Sequence, residues 1–151
     1  MSLEDRFAQL VQHLGIPRAH VAGGYAADAV TLARAFPEWI ASMTLVCPFR
    51  LPPEPFQAFG DRVLLIGGDR GPGADSVPHA LASLPTARSL TLKNYADAAW
   101  SDAIADRRAE IESVLLPFLA EAVAQRGRWL GLDRRAGQRA GSQADQRAGQ
   151  P

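Results

Sequence analysis

Four apolar runs, at residues 19–22, 40–46, 62–68 and 88–93, punctuate a chain whose other hydrophobic positions recur every three or four residues. Runs that do not alternate, and that end in turn residues, suit strands buried on both faces. Between them the helical spacing is plain. Leu3, Phe7, Leu10, Val11 and Leu14 form one face of a first helix within residues 1–16, with Ser2 to cap it and Gly15 to end it. Ala26, Val30, Ala33 and Ala35, widened by Leu32 and Phe36, predict a second helix that Pro37 stops. Val77, Leu81 and Leu84 predict a third over 76–84. A long terminal helix begins at Asp102, buries Ile104, Ile111, Val114, Leu115, Phe118, Leu119 and Val123, and is kinked at Pro117. The order helix, strand, helix, strand, loop, strand, helix, strand, helix predicts an α/β fold. It is a three-layer sandwich with a short, mostly parallel sheet.

The connections carry their own signals. Gly23-Gly24 predicts a tight strand-to-helix turn that permits positive φ. Residues 48–61 hold four of the eleven prolines and read as a linker, with one turn of helix at 55–59. Residues 67–75 form a Gly-rich loop, and 95–101 another loop. After Arg126 the pattern stops. R-A-G-Q occurs at 135–138 and 147–150, R-A-G-S lies between them, and 133–151 contains no Val, Ile, Leu, Met or aromatic residue. Such a segment cannot bury enough apolar surface to offset its ordering entropy. The expected organisation is one domain over 1–126 and a disordered tail over 127–151.

Composition narrows the function classes. With 151 residues, 47% of them apolar and 21% charged, the chain suits one globular domain with a real core. Sixteen basic residues balance sixteen acidic ones, which gives no electrostatic reason to expect nucleic acid or an anionic membrane as partner. The single cysteine, Cys47, excludes an internal disulfide framework. With no apolar run approaching the ~20 residues of a membrane span, a cytoplasmic location is expected. His13, His20 and His79 share no metal-ligand spacing with one another or with Cys47, so neither a metal nor another cofactor is expected. His13 and His79 read as surface residues, and His20 as a satisfied core or strand-edge histidine. Neither H-V-A-G-G-Y-A-A nor G-G-D-R-G-P-G has the spacing of a dinucleotide or phosphate loop.

The stretch from Arg18 to Pro48 resembles the nucleophile-elbow region of the α/β-hydrolase superfamily. There a strand runs into G-x-S-x-G, a helix follows, and a segment like P-E-W-I-A-S-M-T-L-V-C-P (37–48 here) leads into the next strand. The likeness spans roughly 125 residues and implies the C-terminal half of that fold. Matched on its glycines, the elbow is Gly23-Gly24-Tyr25-Ala26-Ala27, with Tyr25 in the nucleophile position. Counted back from Pro37, the position falls on Gly23. Neither alignment supplies Ser, Cys or Asp. The resemblance implies a triad acid in the loop after 63–66, where Asp69 stands as a remnant acid or as a turn aspartate. It implies a base in 94–102, where there is no histidine, and where Asp102 reads more simply as a helix cap.

The resemblance implies a relative of hydrolases of esters or related carbon–heteroatom bonds; the residues present supply no recognisable nucleophile or base, so a truncated relative is expected, not hydrolytic on its own and acting as a binding or assembly module. Two alternatives stay open. One is an active hydrolase with an unorthodox set, Cys47 or Tyr25 with Asp69, in which Arg50 is the electropositive neighbour a reactive Cys47 needs. The other is a small anion- or nucleotide-binding module using the Gly23-Gly24 turn. Half a fold also implies a sheet edge at the elbow strand. A homodimer, or a protein partner bound there, is therefore expected.

Overall fold

The computed structural model describes residues 1–96 and 99–129. Helix α1 (Leu3–Leu14) opens with a reciprocal cap. Asp5 N–H donates to Ser2 Oγ at 3.1 Å, and Ser2 N–H donates to Asp5 Oδ2 at 3.1 Å. It closes on Gly15, whose φ of 60° is left-handed, a conformation glycine adopts without a Cβ penalty. Strand β1 (Ala19–Gly23), helix α2 (Ala26–Ala35) and strand β2 (Ile40–Val46) follow. A 3₁₀-helical segment (Glu54–Arg62), strand β3 (Val63–Gly68), helix α3 (Ser76–Ser83) and strand β4 (Arg88–Leu92) complete the sheet region.

All three strand pairs are parallel, in the order β1-β2-β3-β4. Every residue of β3 from Val63 to Ile66 is fully buried, because helices cover both faces. On one face Met43, Leu45, Val63 and Leu65 pack with Leu32 and Ala33 of α2 and Val77 and Ala80 of α3. On the other, Val46, Leu64, Ile66 and Leu92 pack with Tyr95, Ala103, Ile111 and Phe118. The three-layer α/β sandwich with a short parallel sheet is thus the observed fold.

The proline-rich connection is more than a linker. Leu51, Phe56 and Phe59 are buried in the core. Arg62 ties it to the sheet, donating from Nη1 to the carbonyls of Ile40 (2.9 Å) and Ala41 (3.3 Å), with its guanidinium over the Phe59 ring.

The terminal helix is two helices, α4 (Trp100–Asp106) and α5 (Arg108–Trp129). The break falls at Arg107, whose φ of −124° is not helical. Its side chain is held by Lys93 O at 3.0 Å and by Glu110. Two expectations are corrected by this break. The N-cap of α4 is Ala99, with Asp102 inside the first turn, and Ile104 and Val123 are exposed where a single buried stripe was expected. Pro117 lies inside α5, which continues through it. Among the described residues no helix is long and apolar enough to cross a membrane. Of the predicted tail, residues 130–151 lie outside the described residues.

Candidate functional site

The carboxyl ends of parallel strands are where α/β sheets present chemistry, so the four loops at those ends define the candidate site. After β1 come Gly23, Gly24 and Tyr25. The strand-to-helix turn is present but does not use the positive φ its glycines permit: among the described residues the glycines with positive φ are Gly15, Gly60 and Gly71. Tyr25 has φ −85° and ψ 107°, and caps α2 with its backbone alone. Its ring is 70% exposed. Gly24 is required by a neighbour instead: a Cβ on it would lie 2.5 Å from Cβ of Trp100, the first residue of α4. Real side chains do not approach so closely. At Gly23 a Cβ would meet open space.

Asp69 follows β3 and is engaged with the loop after β4. Its Oδ1 accepts from the Tyr95 backbone N–H at 3.3 Å, and its own N–H donates to Leu92 O at 3.2 Å. Arg70 N–H donates to Tyr95 O at 3.1 Å. Gly68 and Gly71 let the two loops meet: Cβ atoms there would run into the carbonyl oxygens of Tyr95 and Ala96. The buried Tyr95 donates its hydroxyl to Asp106 at 3.4 Å, and its ring lies under Arg107. The carboxylate of Asp69 thus serves a loop-to-loop backbone contact. Asp97, in the segment where the resemblance seats the base, lies outside the described residues.

The structure does not gather the sequence-predicted residues into one cavity. Tyr25 borders a hollow of 240 Å³ with Leu3, Val21, Gly24, Asp28 and Trp100. Its only charged lining residue is acidic, which does not suit a phosphate. Cys47 borders a separate recess of 20 Å³ beside Gly67, Gly68 and Arg70, and Asp69 lines neither. Cys47 is half-buried, and its φ of 50° is unusual for a residue with a side chain. Arg50 lines neither space. It lies over the Phe49 ring at 5.1 Å and borders an open cleft of 630 Å³ with Leu51, Pro53, Asp75, Ser76 and His79. Sequence reasoning missed this cleft, whose signal was the pairing of the proline-rich connection with the Gly/Pro-rich loop. It also missed Trp100.

His13 and His79 are exposed. His20 is an exposed strand-edge residue whose Nδ1 lies 2.7 Å from Oγ of the buried Ser42, and partial desolvation of the ring pushes its pKa below the ordinary 6.5. Among the described residues no group of three His, Cys, Asp or Glu side chains is placed to hold a metal ion.

No protein-family model and no curated protein sequence matches the chain. Solved structures do. One, described as a predicted CIB-like hydrolase from Thermoplasma acidophilum, superposes with a TM-score of 0.59 at 11% identity, covering 78% of this chain and 57% of that one. Another, described as the non-heme bromoperoxidase BpoC from Mycobacterium tuberculosis H37Rv, gives a TM-score of 0.57 at 16% identity, covering 79% and 73%. The chain therefore spans little more than half the length of the Thermoplasma protein. At such identities the likeness is one of fold, and the fold is a partial α/β-hydrolase fold.

Proposed function

We propose that these residues form a non-hydrolytic module of α/β-hydrolase type, cytoplasmic, whose role is binding or assembly. The observation that carries the reading is Trp100 packed on Gly24. Its side chain takes the space that a residue other than glycine would need at position 24, which crowds one side of the turn where the resemblance seats a nucleophile. The placement of Asp69 supports the same reading, because its Oδ1 accepts from the Tyr95 N–H and the residue lines neither the hollow beside Tyr25 nor the recess beside Cys47.

The test is a panel of unactivated esters at substrate concentrations that reveal saturation. The expected outcome is no saturable turnover, either by the chain or by a Gly23→Ser variant. Gly23 has room for a side chain, but 94–102 supplies no histidine to take the serine proton. Saturable hydrolysis that is abolished by Tyr25→Phe or Cys47→Ala would replace this reading with the unorthodox enzyme. Efficient hydrolysis by Gly23→Ser alone would show that a base is present after all.

A further inference from the structure

Among the described residues, strand β1 has a neighbour on one side only. Ala19 N–H donates to Trp39 O at 2.8 Å, so Ala19 faces β2. The register slips between Ala19 and His20, where Ala41 is the extra residue on β2, so β1 itself keeps its alternation: Val21 and Gly23 also face β2, while the N–H and C=O groups of His20 and Ala22 point outward. The two edges of the sheet differ. Along β4, Arg88, Ser89 and Thr91 are polar, and Arg88 pairs with Glu121 of α5. Along β1, His20-Val21-Ala22 carries neither proline nor a charged side chain of the kind that blunts natural edges.

Helix α1, which packs on α2 through Phe7 and Phe36, carries unused apolar surface of its own. It runs antiparallel to β1, since Leu3 at its start borders the same hollow as Gly23 at the end of the strand. Leu3 and Phe7 pack on the core and Val11 is buried. Leu10 and Leu14 lie on the same helical stripe, yet each is 55% exposed. Half of the stripe has nothing beneath it.

We infer that the occupant of this edge is a second copy of the chain, paired antiparallel through β1 about a two-fold axis at Val21. This inference rests on the assembly reading above and names its partner. The register is self-complementary. His20 exchanges both outward backbone hydrogen bonds with Ala22 of the second copy, and symmetry supplies the reciprocal pair. Across the strands each imidazole then faces a methyl group, and Val21 faces Val21. The pairing sets α1 antiparallel to its counterpart, with the Leu10 and Leu14 surfaces flanking the joined edge. The ends also complement each other in charge. Arg18 at the entrance of β1 comes toward the end carrying Asp28. A net charge of zero leaves no long-range repulsion between copies. The product is one continuous sheet with a closed isologous interface.

Light scattering of the full chain after size exclusion should give twice the 16.2 kDa chain mass at micromolar concentration. Val21→Cys, in a Cys47→Ser background, should form an interchain disulfide on mild oxidation. Residues opposite each other at the axis form a non-hydrogen-bonded pair, whose Cβ atoms lie near the short end of about 4.5–5.5 Å and so close to the span of about 3.5–4.5 Å that a disulfide needs. Ala22→Cys, which faces His20 and not itself, should form little. Ala22→Pro deletes an outward N–H, and Leu10→Glu places charge on the exposed stripe. Each should yield a 16.2 kDa species with unchanged far-ultraviolet circular dichroism. A wild-type monomer at every concentration would overturn the inference while leaving the non-hydrolytic reading intact. So would a dimer that survives both substitutions, or equal cross-linking at positions 21 and 22. Ester turnover by a confirmed dimer would do the reverse.

Discussion

Gly24 is held to its identity by a residue seventy-six positions away, Trp100, whose Cβ and ring atoms occupy the space a side chain would need. Gly24→Ala should therefore destabilise the fold by about 1–3 kcal/mol through overpacking, read as a lowered denaturation midpoint at constant slope. Trp100→Ala should remove most of that penalty, so the two substitutions should couple in a double-mutant cycle; simple additivity would mean that the indole does not press on Gly24. The sequence suggested a turn glycine with positive φ, because local pattern reports turn chemistry and carries no trace of a contact made from another helix. His20 is the other residue with a measurable consequence. Partial desolvation lowers its folded-state pKa, and because the side chain is otherwise exposed the effect is small: between the ordinary 6.5 and the lowered value the unfolded chain binds the proton first. Stability should hold above 6.5, fall as pH drops through that window, and level off below it. A His20→Asn variant should lack this step, and an identical pH profile in the variant would assign the step to another group.

At the scale of elements, the strands of the sheet interior were the most legible. Residues 40–46 coincide with β2, and the run at 62–68 differs from β3 only by Arg62, because burial on both faces leaves an uninterrupted apolar signature. The terminal helix was legible in type and not in shape. Its apolar residues are spread around much of the helix, and periodicity gave no sign of the break at Arg107, which is fixed by hydrogen bonds to Lys93 O and Glu110. The consequence is testable by truncation. Ile111→Ala, at 3% exposure, should cost about 2–5 kcal/mol through the cavity it leaves against β3 and β4. Val123→Ala, at 57% exposure, should stay within about 0.5 kcal/mol of wild type. Equal costs would place both residues on one buried stripe, as the periodicity alone suggested. The candidate site was less legible than either. Tyr25, Cys47 and Asp69 were each correctly set at strand ends, but whether such residues share a cavity depends on how the loops fold over one another.

For the whole molecule, the four-strand order leaves β2 and β3 paired on both sides and β1 and β4 at the edges. Two apolar clusters, one on each face, meet on the central strands, so opening β2 or β3 disrupts both. Amide exchange should follow that geometry. The slowest amides should lie in Met43–Val46 and Leu64–Ile66 and open only with global unfolding, whereas Val21 and Gly23, bonded to β2 from an edge strand, should open sub-globally and faster. His20 and Ala22 are the discriminating positions, because their N–H groups point away from the sheet. In the Leu10→Glu chain, expected to be monomeric, both should exchange without protection, and in the wild-type dimer both should be protected in proportion to protein concentration. Protection of His20 and Ala22 in a monomer, independent of concentration, would mean that another part of the same chain already covers the edge. The second copy would then have no free backbone to pair with.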